Sequence, residues 1–272
     1  MPRMTDWARV RDDGYVVPED RSVDELVAEL AGMLRSPDPT VRDRQAYAIL
    51  ATWIGRGVFS DHQLRALGDA MVPRFGDSEV QVRTFAPLIL DAIVSAGVFE
   101  ASWVPPFERW YVAEEDLRGY DAKLGWLHAV AHGADAVGEL AGSPRLGRDD
   151  LVGLLGLLVR RATAPTPTYW VQNEDDRVAV AVMAVLRRDL LTADDVRAAV
   201  DALAGGWRDS EGPVSAEADN AVRLARTLHL QLVLGVRSAP GSDVVHPAVR
   251  LDALRALGAA LAEVHWFYGT PT

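Results

Sequence analysis

The residues best suited to chemistry lie in one stretch, Asp116-Leu-Arg-Gly-Tyr-Asp-Ala-Lys-Leu-Gly-Trp-Leu-His-Ala-Val-Ala-His-Gly-Ala-Asp135. The pattern predicts a long helix that Arg118-Gly-Tyr-Asp121 leads into and that ends near Ala141. At about 100° per residue, Asp121, His128, His132, Asp135 and Glu139 then share an arc of about 60°. Trp126, Val130, Ala134, Val137 and Leu140 fall on the other side and would face the core. Two histidines four residues apart, with a carboxylate one turn on, are the donor types of a divalent metal site, so His128, His132 and Asp135 are candidate ligands for Zn, Mn or Fe. The spacing is not His-Glu-x-x-His and lacks the built-in base of a metalloprotease. The same residues fit acid–base catalysis, because histidine titrates near neutrality and a neighbouring Asp121 or Asp135 would orient it. The bland alternative is that this stripe hydrogen-bonds a neighbouring helix or lies in water.

Two features favour a ligand groove. Trp103, Phe107, Trp110, Tyr111, Tyr120, Trp126, Tyr169 and Trp170 gather around the stretch in sequence, and aromatic rings make good pocket walls, although at helical spacing they more often build core. Asn173-Glu-Asp-Asp-Arg177 opens a later helix with an acidic first turn, which the helix dipole alone would favour. Were Glu174 or Asp175 to reach back to His128, a carboxylate-rich site would form. The candidate groove is therefore Arg118, Tyr120, Asp121, Trp126, His128, His132, Asp135, Glu174 and Asp175. His62, His229, His246 and His265 stand singly, and the chain has no phosphate-cradling glycine loop and no Gly-x-Ser-x-Gly elbow.

The elements that must position these residues are helical. Apolar residues recur every three or four positions, and alternation of the kind that marks strands is nearly absent. Ser22 and Glu25 form a capping box for a first helix, which Ser36-Pro-Asp-Pro ends. Further helices are expected over 40–56, 60–74, 78–95, from 104, over 146–161, 174–188, 193–207, 216–236 and 247–267. Residues 164–170 read as a linker and 238–242 as a loop. A faint repeat places Val-Arg at the start of a helix three times, at Val41-Arg42, Val82-Arg83 and Val249-Arg250. A period near 41 residues resembles the HEAT class of stacked helical hairpins, an α-solenoid. The expected fold is all-α, a HEAT-like stack of about ten or eleven helices with no significant sheet. It has an N-terminal extension over 1–21, one domain over 22–268 and a tail over 269–272.

Composition narrows the function. The 272 residues carry 28 Lys+Arg against 39 Asp+Glu, a net charge of −11, and no cysteine. Lys123 is the one lysine, and no basic run exceeds an arginine pair, so binding to nucleic acid or an anionic membrane is not expected. The longest apolar run, 151–159, falls short of the roughly 20 residues a bilayer span needs. Without an apolar leader or thiols to pair, a cytoplasmic location is expected.

The chain resembles the bacterial family of uncharacterised proteins known as domain of unknown function 2785, DUF2785. The likeness rests on Val41-Arg-Asp with Trp53-Ile, on Val82-Arg-Thr-Phe, on Glu174-Asp-Asp-Arg177, and above all on Arg118-Gly-Tyr-Asp121 with Gly125-Trp-Leu-His-Ala-Val-Ala-His-Gly-Ala-Asp135. The resemblance implies a helical, repeat-like protein and no particular activity. It draws attention to Arg118, Tyr120, Asp121, Trp126, His128, His132 and Asp135. Two function classes follow: a non-catalytic module that binds a protein, peptide or small molecule, and an enzyme or metal protein working through His128, His132 and Asp135. A DNA-repair helical-repeat enzyme would fit the architecture but not the charge.

Overall fold

The computed structural model describes residues 5–208, 213–237, 240–264 and 267–269. Within them the chain is all-α. The helices are α1 (Trp7–Asp12), α2 (Val23–Met33), α3 (Ala48–Gly55), α4 (Asp61–Met71), α5 (Val80–Ser95), α6 (Val104–Ala113), α7 (Ala129–Gly142), α8 (Arg148–Thr163), α9 (Glu174–Leu186), α10 (Ala193–Arg208), α11 (Ala216–Leu234) and α12 (Arg250–Ala262). A π-helical stretch, Thr40–Tyr47, runs directly into α3. The extra helix relative to the sequence reading is α1. It lies in the expected extension, yet Trp7 and Val10 are buried and Trp7 packs against Trp53.

The capping box at Ser22 forms as read, and a second one at Ser60 and Gln63 opens α4. Such caps each satisfy orphan backbone groups and stabilise a helix by about 1 kcal/mol. Leu26, Leu30 and Leu34 are fully buried at the expected spacing, each contributing roughly 1.5–3 kcal/mol through removal from water.

The helices pack in two rows. From α3 on, the odd-numbered helices lie side by side in chain order, α3 on α5, α5 on α7, α7 on α9 and α9 on α11. The even-numbered helices form the second row, with α8 on α10 and α10 on α12. One connected apolar cluster, running from Trp7 to Ala260, lies between them. The Val-Arg repeat does not keep this alternation. Arg42 and Arg83 stand at the starts of odd-row segments, whereas Arg250 opens α12, and it donates to the carbonyls of Leu232 (2.6 Å) and Val233 (3.2 Å) at the end of α11. No helix among the described residues is long and apolar enough to cross a membrane.

The one substantial correction concerns the long helix expected to follow directly on Arg118-Gly-Tyr-Asp121 and end near Ala141, which begins only at Ala129. Upstream, β1 (Tyr120–Asp121) and β2 (Gly125–Trp126) form a minimal antiparallel hairpin. The Asp121 carboxylate accepts from the backbone N–H of Lys123 (2.8 Å) and Leu124 (3.0 Å), and Gly125 follows at φ +73°. An aspartate-stabilised turn closed by a glycine with positive φ cannot continue a helix. Two smaller differences are also present. The last helix spans Arg250–Ala262 rather than 247–267, and the 164–170 linker is anchored, since Trp170 N–H donates to Asn220 Oδ1 (2.8 Å) and Asn220 Nδ2 donates to the Thr168 carbonyl (2.9 Å). His265 and residues 238–239 and 270–272 lie outside the described residues.

Candidate functional site

Two polar regions emerge where one was expected. The first is a corner built on the hairpin and on the first turns of α7 and α9. Arg42, fully buried in the π-helical stretch, holds it together. Its guanidinium donates to the carbonyls of Leu124 (2.5 Å), Trp126 (3.4 Å) and Ser36 (3.4 Å), pairs with Asp43 (2.7 Å), and lies 4.5 Å from the centre of the Phe85 ring. Glycine at 119 is required here, because a Cβ would sit 2.5 Å from Glu174 Oε1 and 2.7 Å from the Gln172 side chain.

The predicted residues occupy this corner as follows. Arg118, half exposed, pairs with Asp116 (2.7 Å) and Asp121 (2.5 Å). Tyr120 and Trp126 face each other across the hairpin at 5.0 Å, and Trp126 stacks on His128 at 4.6 Å with the planes 3° apart. His128 is the residue before α7 and has left-handed backbone, φ +47°. Its Nδ1 lies 3.6 Å from Glu174 Oε1, an ion-pair separation rather than a hydrogen bond. Glu174 is 1% exposed and accepts from Gln172 N–H (2.7 Å). Burial works to raise its carboxyl, but His128 and the N–H groups of Gln172 and of its own residue outweigh that and hold it below the usual range. His132 is buried and its Nδ1 donates to the Thr84 carbonyl (2.9 Å). Burial pushes its imidazole from 6.5 down to about 3, with His128, Arg177 and Arg42 adding to the effect and the Thr84 bond opposing it. It is therefore neutral at physiological pH.

The proposed arc is thus divided. Asp121 is taken up by its turn and by Arg118. Asp135 turns to Arg177, which grips it through both Nε (2.9 Å) and Nη2. Asp175 accepts from Thr227 Oγ1 (2.8 Å) on α11, away from His128. The His128 and His132 rings do come together, 5.7 Å apart and edge to face, but Asp135 is held by Arg177, and among the described residues no three His, Cys, Asp or Glu side chains are grouped to hold a metal ion. Of the flanking aromatics, Trp103, Phe107, Trp110, Tyr111 and Trp170 are core, and Tyr169 is exposed.

The second region is a groove of about 660 Å³ along the odd row. Its floor is made by small residues, Ala134 and Gly138 on α7 and Ala181 and Ala184 on α9. Asp91 on α5 and Asp135 and Glu139 on α7 form one wall. Arg177 and Arg187 on α9 and Arg237 beyond α11 form the other, with Tyr47 and Gln231 also lining it. Burial, with Asp135 and Glu139 nearby, pushes the Asp91 carboxyl from 3.8 up to about 7, and Arg177 only partly opposes this. Asp135 is also raised, burial outweighing Arg177. Among the described residues, Asp91, Glu139 and Arg187 have no ion-pair partner in the protein. Arg187 Nε and Gln231 Oε1 are buried with no hydrogen bond.

Of the predicted groove residues only Asp135 lines this concavity. Asp91 was missed although the sequence carries a signal for it. It is the one charge in the apolar run Phe85-Ala-Pro-Leu-Ile-Leu-Asp-Ala-Ile-Val94, and a lone carboxylate in such a run must face either a partner or an opening.

A family model described as "Protein of unknown function (DUF2785)" matches residues 72–230. That span contains the hairpin, His128, Glu174 and the groove residues Asp91, Asp135, Glu139, Arg177 and Arg187, while the Val41-Arg-Asp and Trp53-Ile motifs, Tyr47 and Gln231 fall outside it. No curated protein and no solved structure matches.

Proposed function

Because the chain belongs to the DUF2785 family, whose description assigns no activity, we propose its role from the site itself: a HEAT-like binding module whose ligand lies in the groove along the odd-numbered helices. The observation that carries this reading is a set of charged side chains, Asp91, Glu139 and Arg187, that line a concavity of about 660 Å³ and have no ion-pair partner among the described residues. Ligand sites commonly enclose about 300–1,000 Å³ and fix their ligand with a few polar groups. Charged groups left without partners at partly buried positions cost stability, and a ligand that pairs with them recovers it. The corner around His128 serves as framework in this reading, setting the first turns of α7 and α9 and hence the spacing of the groove walls.

The test is a thermal-shift screen of metabolites and short peptides, repeated on Val180→Trp. Val180 lines the groove and is half exposed, so a tryptophan there fills the groove without entering the core. A ligand at 100 times its Kd adds about 2.7 kcal/mol of stability, a shift of several degrees. The expected result is a shift that Val180→Trp abolishes. Shifts that persist unchanged in Val180→Trp would sink the reading.

A further inference from the structure

We infer that the groove takes a dipolar ligand of amino-acid to short-peptide size, with its ammonium or guanidinium group between Asp91 and Glu139 and its carboxylate at Arg187. This rests on the groove reading and names the class of molecule that fits it.

The argument begins with how charge is distributed among the helices. Helices α5 and α7 present only carboxylates to the groove, Asp91, Asp135 and Glu139, while α9 and the segment beyond α11 present only guanidinium groups, Arg177, Arg187 and Arg237. Where the walls reach each other they pair directly, as Asp135 does with Arg177 through two hydrogen bonds. Asp91 lies close enough to this pair to feel both of its charges and forms no ion pair, and among the described residues Glu139 and Arg187 form none either; Arg187 Nε is buried with no acceptor. Arg177 and Arg187 are ten residues apart on α9, about 15 Å along its axis, so Arg187 stands well beyond the closed pair. Gln231 Oε1, also buried and without a donor, adds an acceptor from α11.

A ligand carrying only positive charge would leave Arg187 unpaired, and one carrying only negative charge would meet three carboxylates. A molecule with both charges satisfies both walls. The planar fork of an arginine is well matched to a carboxylate, which it can bind through two parallel hydrogen bonds. Adjacent helix axes lie about 8–10 Å apart, and an extended chain covers about 3.3–3.6 Å per residue. Two or three residues therefore bridge the walls. The small floor residues leave room for a backbone, and the exposed Val180 offers an apolar contact to one side chain.

The experiment uses the full chain and a tripeptide library built from residues with uncharged side chains, in three forms: both ends free, amine acetylated, and carboxylate amidated. Bound mass is read by native mass spectrometry. The free-ended library is expected to be retained, with each blocked library retained at least tenfold less. Asp91→Asn and Arg187→Gln, checked for unchanged helical content by circular dichroism, should each lower retention of the free library by about tenfold. Retention should rise from pH 5 to pH 7 in the parent chain, where the peptide amine stays protonated, because ionised Asp91 is the form that pairs with a cation beside Asp135, Glu139, Arg177 and Arg187; Asp91→Asn should remove that rise. Blocked libraries retained as well as the free one, yet lost in Val180→Trp, would overturn the dipolar class and leave the groove a binding site. Retention that survives Val180→Trp would overturn both readings, and no retention of the free library would overturn the inference.

Discussion

Around His128 the charged groups hold backbone, whereas along the groove they are left open. Arg42 donates to three carbonyls, Arg118 and Asp121 close a hairpin, and Glu174 is buried against His128 and Gln172. Some 40 residues earlier in the chain, Asp91 sits half-buried in an apolar helix with no ion-pair partner among the described residues. Charged groups bonded to backbone specify one backbone arrangement, although His128 Nδ1 in the corner is buried without a hydrogen bond, while unpaired charges carry a free-energy deficit that a ligand can relieve. In the proposed reading, polar side chains crowded together in sequence serve as framework, and isolated ones line the opening.

The contrast would be broken most severely at Arg42. Arg42→Met removes a fully buried cation and leaves three carbonyls and Asp43 without their donor, so urea unfolding should show a loss of about 3–5 kcal/mol. Arg187→Gln in the groove should lie within about 0.5 kcal/mol of the parent, since no protein partner is lost. Equal losses at the two arginines would erase the distinction. The next effect in size is Gly119→Ala. Its Cβ must displace the Glu174 carboxylate or Gln172, an overpacking cost of about 1–3 kcal/mol.

How much of this was legible beforehand differed between the two regions for a physical reason. Helix periodicity and caps are local, so the helices, the Ser22 box and the core leucines could be read directly. The hairpin was also local, and two glycines within seven residues around an aspartate were its signal; the apolar spacing of Trp126, Val130 and Val137 masked it. The groove could not be read in the same way, because Asp91, Glu139 and Arg187 meet only through the stacking of α5, α7 and α9. Likewise Glu174 does reach His128, but from a helix 46 positions later, and nothing near either residue encodes that approach. The family resemblance pointed to the Arg-Gly-Tyr-Asp and His-x-x-x-His residues, where backbone demands are strict.

The two regions should also respond to pH with opposite sign. Between 3.8 and about 7 the folded chain keeps a proton on Asp91 that the unfolded chain has released, so stability falls as pH rises through that interval. Asp91→Asn should therefore be more stable than the parent at pH 8, with the difference shrinking toward pH 4. Between about 3 and 6.5 the unfolded chain binds a proton at His132 that the folded chain refuses, so stability falls as pH drops through that range. Replacing His132 with Gln should flatten the acid side of the profile whatever it costs in overall stability. Urea midpoints from pH 4 to 8 check both, and an acid side left unchanged in His132→Gln would mean that the corner admits water.

The smallest effect sharpens the comparison furthest. Left-handed backbone costs a residue with a Cβ roughly 1–2 kcal/mol, and His128 tolerates it at φ +47° while stacking on Trp126. Its ring contributes on the order of 0.5–1.5 kcal/mol. Substitution by glycine loses the stack and the contact with buried Glu174 but removes the strain, so His128→Gly should lie within about 1–2 kcal/mol of the parent. His128→Ala keeps the strain and loses the stack, and it should be the less stable of the two by about 1 kcal/mol. Both should retain the free-ended tripeptide library as the parent does, because His128 does not line the groove. Equal stability of the glycine and alanine variants would mean that α7 can extend backward through 128, so that the corner is not the rigid frame described. Reduced library retention in His128→Gly with unchanged stability would join the two regions into one site.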